Sequence, residues 1–212
     1  MPGKAANADK QAEQKEFKEK ELEPRLAEAK DGKREVFFMD AAHFVHGTFL
    51  GMIWCFVRLF IPSPSGRKRF NVLGALNAVS KKVLTITNET YINAQSVCEL
   101  LLKIAQYSTK PITVVLDNAR YQKCALVRGY AASLGIELLF LPSYSPNLNL
   151  IERFWRFVKK KCLYSRYYSC FIDFKTAIEE CIEQAPYQNK EELESLLTWN
   201  FQSFQKVNIS TV

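Results

Sequence analysis

Two short runs, Val36-Phe37-Phe38-Met39 and Ile112-Thr113-Val114-Val115-Leu116, are apolar almost throughout, and each is closed by an aspartate, Asp40 and Asp117. Runs of this length, rich in β-branched and aromatic residues, read as fully buried strands. A carboxylate at the mouth of a core is expensive unless it is paired with a cation or bound to one. A third carboxylate, Glu152, opens a basic amphipathic helix in Leu150-Ile151-Glu152-Arg153-Phe154-Trp155-Arg156-Phe157. Two acidic strand ends plus one helix-borne glutamate suggest a site for divalent metal, because hard cations take oxygen ligands of this kind.

The remaining pattern fits an α/β sheet. Residues 8 to 30 alternate Lys and Glu around few apolar positions (Phe17, Leu22, Leu26), which suits a solvated helix acting as a tether or docking helix. Strand one is expected from about Glu35 to Asp40. His43 to Ile61 is apolar with Gly47, Gly51 and Trp54, and its β-prone part, Trp54 to Ile61, is read as strand. Pro62 to Gly66 marks a turn, followed by a strand from Phe70 to Val79 and another from Val83 to Thr87, joined as a hairpin through Ser80-Lys81-Lys82. Val97, Leu100, Leu101 and Ile104 recur at helical spacing, with Thr90 or Asn93 as the cap. Tyr121 to Leu134 reads as a helix stopped by Gly135, and Ile136 to Leu141 as a third buried strand. Two amphipathic segments follow the Glu152 helix, around Phe171 to Ile182 and Leu193 to Phe204, separated by Pro186. The order of strands and helices predicts a mixed sheet with helices on its faces, with one main domain and additional C-terminal helices.

Composition narrows the partners. The 212 residues carry 29 Lys plus Arg against 22 Asp plus Glu, a net charge of +7, which favours a polyanion. Hydrophobic content of 48% rules out wholesale disorder. Six scattered cysteines (Cys55, Cys98, Cys124, Cys162, Cys170, Cys181) show no C-x-x-C pair, so neither a zinc site nor a disulfide framework is indicated. The amino terminus has no apolar signal region and no run is long enough to span a membrane, which points to the cytoplasm.

Four blocks resemble a known family. Asp40-Ala41-Ala42-His43-Phe44, Asn71-Val72-Leu73-Gly74-Ala75, Leu116-Asp117-Asn118-Ala119 and Leu141-Pro142-x-Tyr144-Ser145-Pro146-x-Leu148-Asn149-x-Ile151-Glu152-x-x-Trp155 resemble the catalytic domain of bacterial insertion-sequence transposases of the mariner superfamily. The 34 residues from 118 to 151 that separate Asp117 from Glu152 are similar to that superfamily's spacing. The resemblance implies a ribonuclease H-like mixed five-stranded sheet over residues 34 to 165, a charged helix over 1 to 33 and a helical extension over 166 to 212. It implies a DDE triad of Asp40, Asp117 and Glu152 holding two Mg²⁺ ions, with Mn²⁺ as a substitute. Asp40 would bridge both ions, Asp117 hold one and Glu152 the other. It further implies strand cleavage and strand transfer on element ends and target DNA, by a homodimer on DNA associated with a bacterial nucleoid.

Two departures stand out. Relatives often carry an acidic residue directly after the first aspartate, where this chain has Ala41. The 34 residues before strand one cannot hold the paired helix-turn-helix modules of relatives that work alone, so an upstream reading frame is expected to supply end recognition.

Each candidate residue also has a plainer role. Asp117 and Asn118 fit a helix cap as well as a metal ligand with its neighbour. Glu152 fits a capping box with Asn149 and a surface pair with Arg156. His43 is expected to shape the site near Asp40, while His43 and His46 lack the glutamate of a zinc-protease motif. Trp155 reads as core, and burial is the safer reading for Tyr144 and Trp54 over base stacking. Arg67, Lys68, Arg69, Arg153, Arg156, Lys159, Lys160 and Lys161 are the expected phosphate contacts. Two alternatives remain to the transposase: a catalytically inactive DNA-binding or assembly subunit from a degraded element, and a metal nuclease for branched or hybrid nucleic acids.

Overall fold

A computed structural model describes residues 8–47 and 68–201. The strand expected over Trp54 to Ile61, the turn before it reaches the hairpin, and Arg67 lie outside the described residues. β1 (Glu35–Val45), β2 (Arg69–Asn77) and β3 (Val83–Asn88) form an antiparallel meander. β4 (Ile112–Leu116) and β5 (Ile136–Phe140) add to the far side of β1 in parallel, giving the order β3-β2-β1-β4-β5. Parallel neighbours need crossovers. The chain supplies them as α3 (Ala94–Tyr107), which leads into β4, and α4 (Ala125–Ser133), which leads into β5.

Local chemistry sets these boundaries. The Asn93 side chain caps α3 by accepting from the Ser96 N–H at 3.0 Å. Gly135 takes φ +67° just after α4, a left-handed conformation that costs glycine little. The helix expected from Tyr121 begins only at Ala125, because residues 119 to 124 turn back toward Asp117. Pro186 does not divide the last two helices: α6 (Phe171–Gln188) runs through it and breaks at Asn189, before α7 (Lys190–Leu196).

Side chains alternate across the sheet with period two, so each strand feeds two cores. Phe37, Met39, Leu73, Ala75, Val114 and Leu116 pack with α3 and α4. Phe38, Ala42, Phe44, Val72 and Val115 pack instead with α5 (Leu150–Val158) and α6. The amino-terminal helices join this second core. α1 (Ala8–Phe17) passes through a wide turn, Lys18–Leu22, into α2 (Glu23–Lys30). Their outer face carries the expected pairs, Lys20 to Glu16 at 2.6 Å and Arg25 to Glu21 at 2.9 Å. Leu22, Leu26 and Ala29 form an inward stripe that is fully buried, so the helix is docked rather than solvated. Arg25 and Arg34 both grip Glu137 on β5, at 2.5 and 2.8 Å. Their hydrogen bonds, Arg25 first, with help from Thr113, hold the Glu137 carboxyl down to about 2 despite its partial burial.

Strand β1 is longer than its apolar run. It continues five residues beyond Asp40, because pairing with β2 extends to Val45 opposite Arg69, whereas the parallel pairing with β4 stops at Phe38 opposite Val115. Asp40 is therefore a mid-strand residue standing where its neighbour ends. Carrying that register two residues further sets Asp117 beside it on the same face. Across the other edge Asp40 pairs with Gly74, where a Cβ would lie 2.7 Å from the Trp155 ring and 3.2 Å from Ile151 Cδ1. The missing side chain lets α5 press onto β1 and β2.

Gly74→Ala should cost roughly 1–3 kcal/mol through overpacking, because Trp155 has no room to retreat. Urea unfolding would measure it, and a variant as stable as the parent would show that α5 does not depend on this close approach.

Candidate active site

The three acids converge. Asp40, Asp117 and Glu152 line one cavity of about 370 Å³, closed by Asn118, Ala119, the Leu141–Pro146 segment and Asn149. Each arrives by a different route. Asp40 comes from the middle of β1, Asp117 from the first position after β4, and Glu152 from the first turn of α5. Asp117 is restrained by its surroundings, its Oδ1 accepting from the Ala119 N–H at 2.9 Å. The fully buried Gln122, with its amide turned to donate, reaches Asp117 Oδ1 at 2.5 Å and the Asp117 carbonyl at 3.3 Å. Asn118 donates to the Leu141 carbonyl at 2.5 Å and accepts from Lys123 at 3.0 Å, so it ties the loop after β4 to the end of β5.

The electrostatics are those of carboxylates crowded together in a partly buried place. Burial first, then the facing Glu152 and Asp117 charges, push the Asp40 carboxyl up to about 7; Asp40 and Glu152 also share a hydrogen bond. Among the described residues no cationic side chain is one of the groups acting on Asp40. The Tyr121 hydroxyl, buried beside Asp117 and Asp40, is pushed up to about 12 by the same causes. Among the described residues no group of three or more His, Cys, Asp or Glu side chains is gathered closely enough to hold a metal ion, these three acids included. Carboxylates lining an open cavity repel one another unless a proton or cation lies between them. The donor set fits a hard divalent cation: three carboxylates, with no thiolate or imidazole in the cavity lining.

Several expected residues take other places. His43 lies three residues from Asp40, an odd interval along a strand, so it points to the opposite face and pairs with Asn71 at 2.7 Å; it does not shape the acidic cavity. Tyr144 is not buried: it is 82% exposed at φ +61°, on the cavity rim, with Lys10 Nζ 4.2 Å from its ring. Trp155 is core, at 3% exposure. Asn149 occupies the cap position of α5, yet its side chain makes no capping bond and instead donates to the Met39 carbonyl at 3.4 Å.

The basic residues divide by helix face. Glu152, Arg156 and Lys160 recur every fourth residue and line a second, larger cavity of about 940 Å³ with Asn147, Glu192, Ser195 and Asn200. Arg153, one residue round, lines the same cavity but is held by backbone: it donates to the carbonyls of Thr198 and Asn200, both at 2.8 Å. Lys161 pairs with Glu192 at 2.6 Å. Lys159 and Lys68 lie over the rings of Phe44 and Phe171, at 5.9 and 5.5 Å. Lys68 and Arg69 stand at the far end of the β1–β2 pair, some five residues or roughly 17 Å along the strand from Asp40.

Sequence reasoning passed over Gln122, Tyr121 and Gly74. A glycine inside a strand is the usual sign of a close backbone approach and could have located Gly74. Nothing in the sequence marks Gln122, whose role depends on the turn that brings it back to Asp117.

A five-stranded mixed sheet with three acids gathered where a parallel pair ends is the architecture of a ribonuclease H-like phosphoryl-transfer domain. Residues 35–175 match the DDE superfamily endonuclease family, and the chain belongs to that family. The solved structure of the Mos1 mariner paired-end complex with Mn superposes with a TM-score of 0.67 at 14% identity, over 93% of this chain and 62% of that one. The isolated catalytic domain of Mos1 mariner transposase superposes with a TM-score of 0.59 at 13% identity, over 93% of this chain and 94% of that one. A pre-cleavage Mos1 transpososome gives 0.64 at 14% identity, over 97% and 66%. The likeness at such identities establishes the ribonuclease H-like fold, and the chain spans about three fifths of the length of the Mos1 chains in the paired-end complexes. No curated protein matches the sequence.

Asp40 keeps its proton to about 7 in the folded chain, against 3.8 ordinarily. The folded state therefore binds more protons across that interval, and stability falls as pH rises through it. In EDTA, the melting temperature should drop between pH 4 and pH 8, and Asp40→Asn should flatten that drop. Mg²⁺ should restore the parent at pH 8 far more than at pH 5. A parent whose melting temperature ignores both pH and Mg²⁺ would remove Asp40 from any cation site.

Proposed function

We propose that this chain is the catalytic part of a DNA transposase, with Asp40, Asp117 and Glu152 as its metal-holding triad. One observation carries the reading: three carboxylates from distant parts of the sequence line one cavity, where burial and the other two charges push the Asp40 carboxyl up to about 7. Asp40 stands between the other two and would contact two Mg²⁺ ions, or Mn²⁺ in their place, with Asp117 holding one and Glu152 the other. Bound there, the ions supply Lewis-acid stabilisation to the entering and leaving oxygens of an in-line displacement at phosphorus. The protein's part is positional. Gln122 and the Ala119 N–H fix the Asp117 carboxylate, α5 holds Glu152 against β1, and Asp40 would have to lose its proton to hold an ion.

The row Glu152, Arg156, Lys160 leads a DNA strand away from the triad, its two cations neutralising phosphates on one side of the cut. Lys68, Arg69 and Lys159 extend the positive surface beyond the cavity, and Arg67 belongs to the same basic cluster in sequence. Arg153 and Lys161 act on the protein instead, pinning the α7 region to α5. The substrates are the element's ends and then target DNA, worked on by a homodimer. Recognition of the ends falls to a helix-turn-helix module, fused or supplied by an upstream reading frame. Such a protein works in the bacterial cytoplasm, on the nucleoid; among the described residues no helix is long and apolar enough to cross a membrane. Mos1 supports this reading by analogy, having been solved as a paired-end complex with a transposon end and as a strand transfer complex.

Strand cleavage of element-end DNA in Mg²⁺, with the end-recognition protein added, tests the proposal. Glu152→Gln should lower the rate about a hundredfold or more. Equal cleavage by both proteins would remove Glu152 from the mechanism, and a parent that binds the ends without cutting would favour an inactive assembly subunit. The basic row gives a separate expectation in DNA binding. Arg156→Gln and Lys160→Gln should each reduce the slope of log K against log salt by about one. Arg153→Gln should instead lower the melting temperature and leave that slope alone.

A further inference from the structure

Two side-chain oxygens at the carboxylate cavity, Asn149 Oδ1 and Ser145 Oγ, are buried without any hydrogen-bond partner among the described residues. Asn149 is 3% exposed and Ser145 4%, and both line the cavity with Asp40, Asp117 and Glu152. Buried polar atoms in native proteins are nearly always satisfied, so the Asn149 oxygen, which can only accept, lacks a donor, and the Ser145 hydroxyl beside the same cavity lacks a partner of either kind. The orientation of Asn149 is fixed by its other end. Its Nδ2 meets the Met39 carbonyl, which can only accept, so Oδ1 is the atom left over. At the cap position before α5 an asparagine would ordinarily turn that oxygen onto the helix N–H groups, and here it makes no such bond.

The missing donor must carry protons and must sit beside three carboxylates. Water bound to a divalent cation meets both conditions: its lone pairs are taken by the ion and its protons point outward. Mg²⁺ in particular dehydrates reluctantly and keeps several waters. We propose that Asn149 and Ser145 form the outer coordination layer of the divalent ion, each oxygen accepting a hydrogen bond from one of its water ligands. This rests on the reading of the three acids as the ion's direct holders. It also gives Asn149 a double task, since the same amide ties the start of α5 to the backbone of β1 one residue before Asp40.

Mn²⁺ titration of the full chain without DNA, followed by calorimetry, tests the proposal independently of cleavage, with melting temperature in EDTA as the folding control. Asn149→Leu, similar in size but without an acceptor, should weaken Mn²⁺ binding about tenfold or more while remaining folded. Asn149→Asp, which keeps an oxygen there, should retain the affinity, and Ser145→Ala should lose about as much as Asn149→Leu. Unchanged affinity in Asn149→Leu would overturn the outer-layer role. Should that variant fail to fold, unchanged affinity in Ser145→Ala would overturn it equally. A parent that binds no Mn²⁺ would instead bring down the triad's assignment, and the outer layer with it, whereas Glu152→Gln losing binding beside an unaffected Asn149→Leu would leave the triad standing alone.

Discussion

The contact between α5 and the β1–β2 pair governs the rest of this molecule, because it forces together two carboxylates that would otherwise separate. Six of the nine residues of α5 are buried: Leu150, Ile151, Phe154, Trp155, Phe157 and Val158. At about 1.5–3 kcal/mol for each large side chain, their packing is worth roughly 10 kcal/mol before entropy is counted. Against it stands the burial of Asp40 beside Glu152, which raises its carboxyl to about 7 and opposes folding by an amount on the order of a few kcal/mol. Packing wins, and the helix stays where the carboxylates dislike it. On the proposed reading that imbalance would preorganise the site, since the packing by itself holds the acids in one cavity.

Gly74 is the point through which this balance acts. With no Cβ there, the Trp155 ring comes close against β2, and the turn of helix bearing Glu152 is brought toward Asp40, the residue paired with Gly74. The same strand pair carries no such approach on its other face, where α3 packs over Leu73 and Ala75. The division of the sheet into two cores is therefore functional as well as structural: one face is an ordinary apolar layer, while the other holds the acids and the helix that supplies the third.

Much of this could be read from the sequence, and the failures have physical causes. The buried strands ending near Asp40 and Asp117, the hairpin at Ser80-Lys81-Lys82 and the helix of Glu152 all follow from hydrophobic period and turn chemistry, which are local. Asp40 was expected at a strand's end, yet β1 continues to Val45, because the apolar run marks where pairing with β4 stops and not where pairing with β2 stops. His43 was expected near Asp40, but parity along a strand sends it to the other face beside Asn71. The docking of the first helices was partly legible, since Leu22, Leu26 and Ala29 make an inward stripe. What the stripe meets, and the grip of Arg25 and Arg34 on Glu137, are long-range facts that no local pattern carries.

Neighbouring positions on α5 and its continuation divide their labour by helical geometry. A step of four residues rises roughly 6 Å and returns to nearly the same face. Glu152, Arg156 and Lys160 thus form a row that starts acidic at the triad and turns basic away from it, open to the larger cavity. Arg153 borders the same cavity but is held by the carbonyls of the segment after α7, and Lys161 is held by Glu192. A strand laid along the row would meet its anion holders in order: cations for phosphates at a distance, and at the end carboxylates that tolerate a phosphate only through intervening divalent ions. The charge reversal along one face, more than the total positive charge of the chain, is what would tell the strand where to stop.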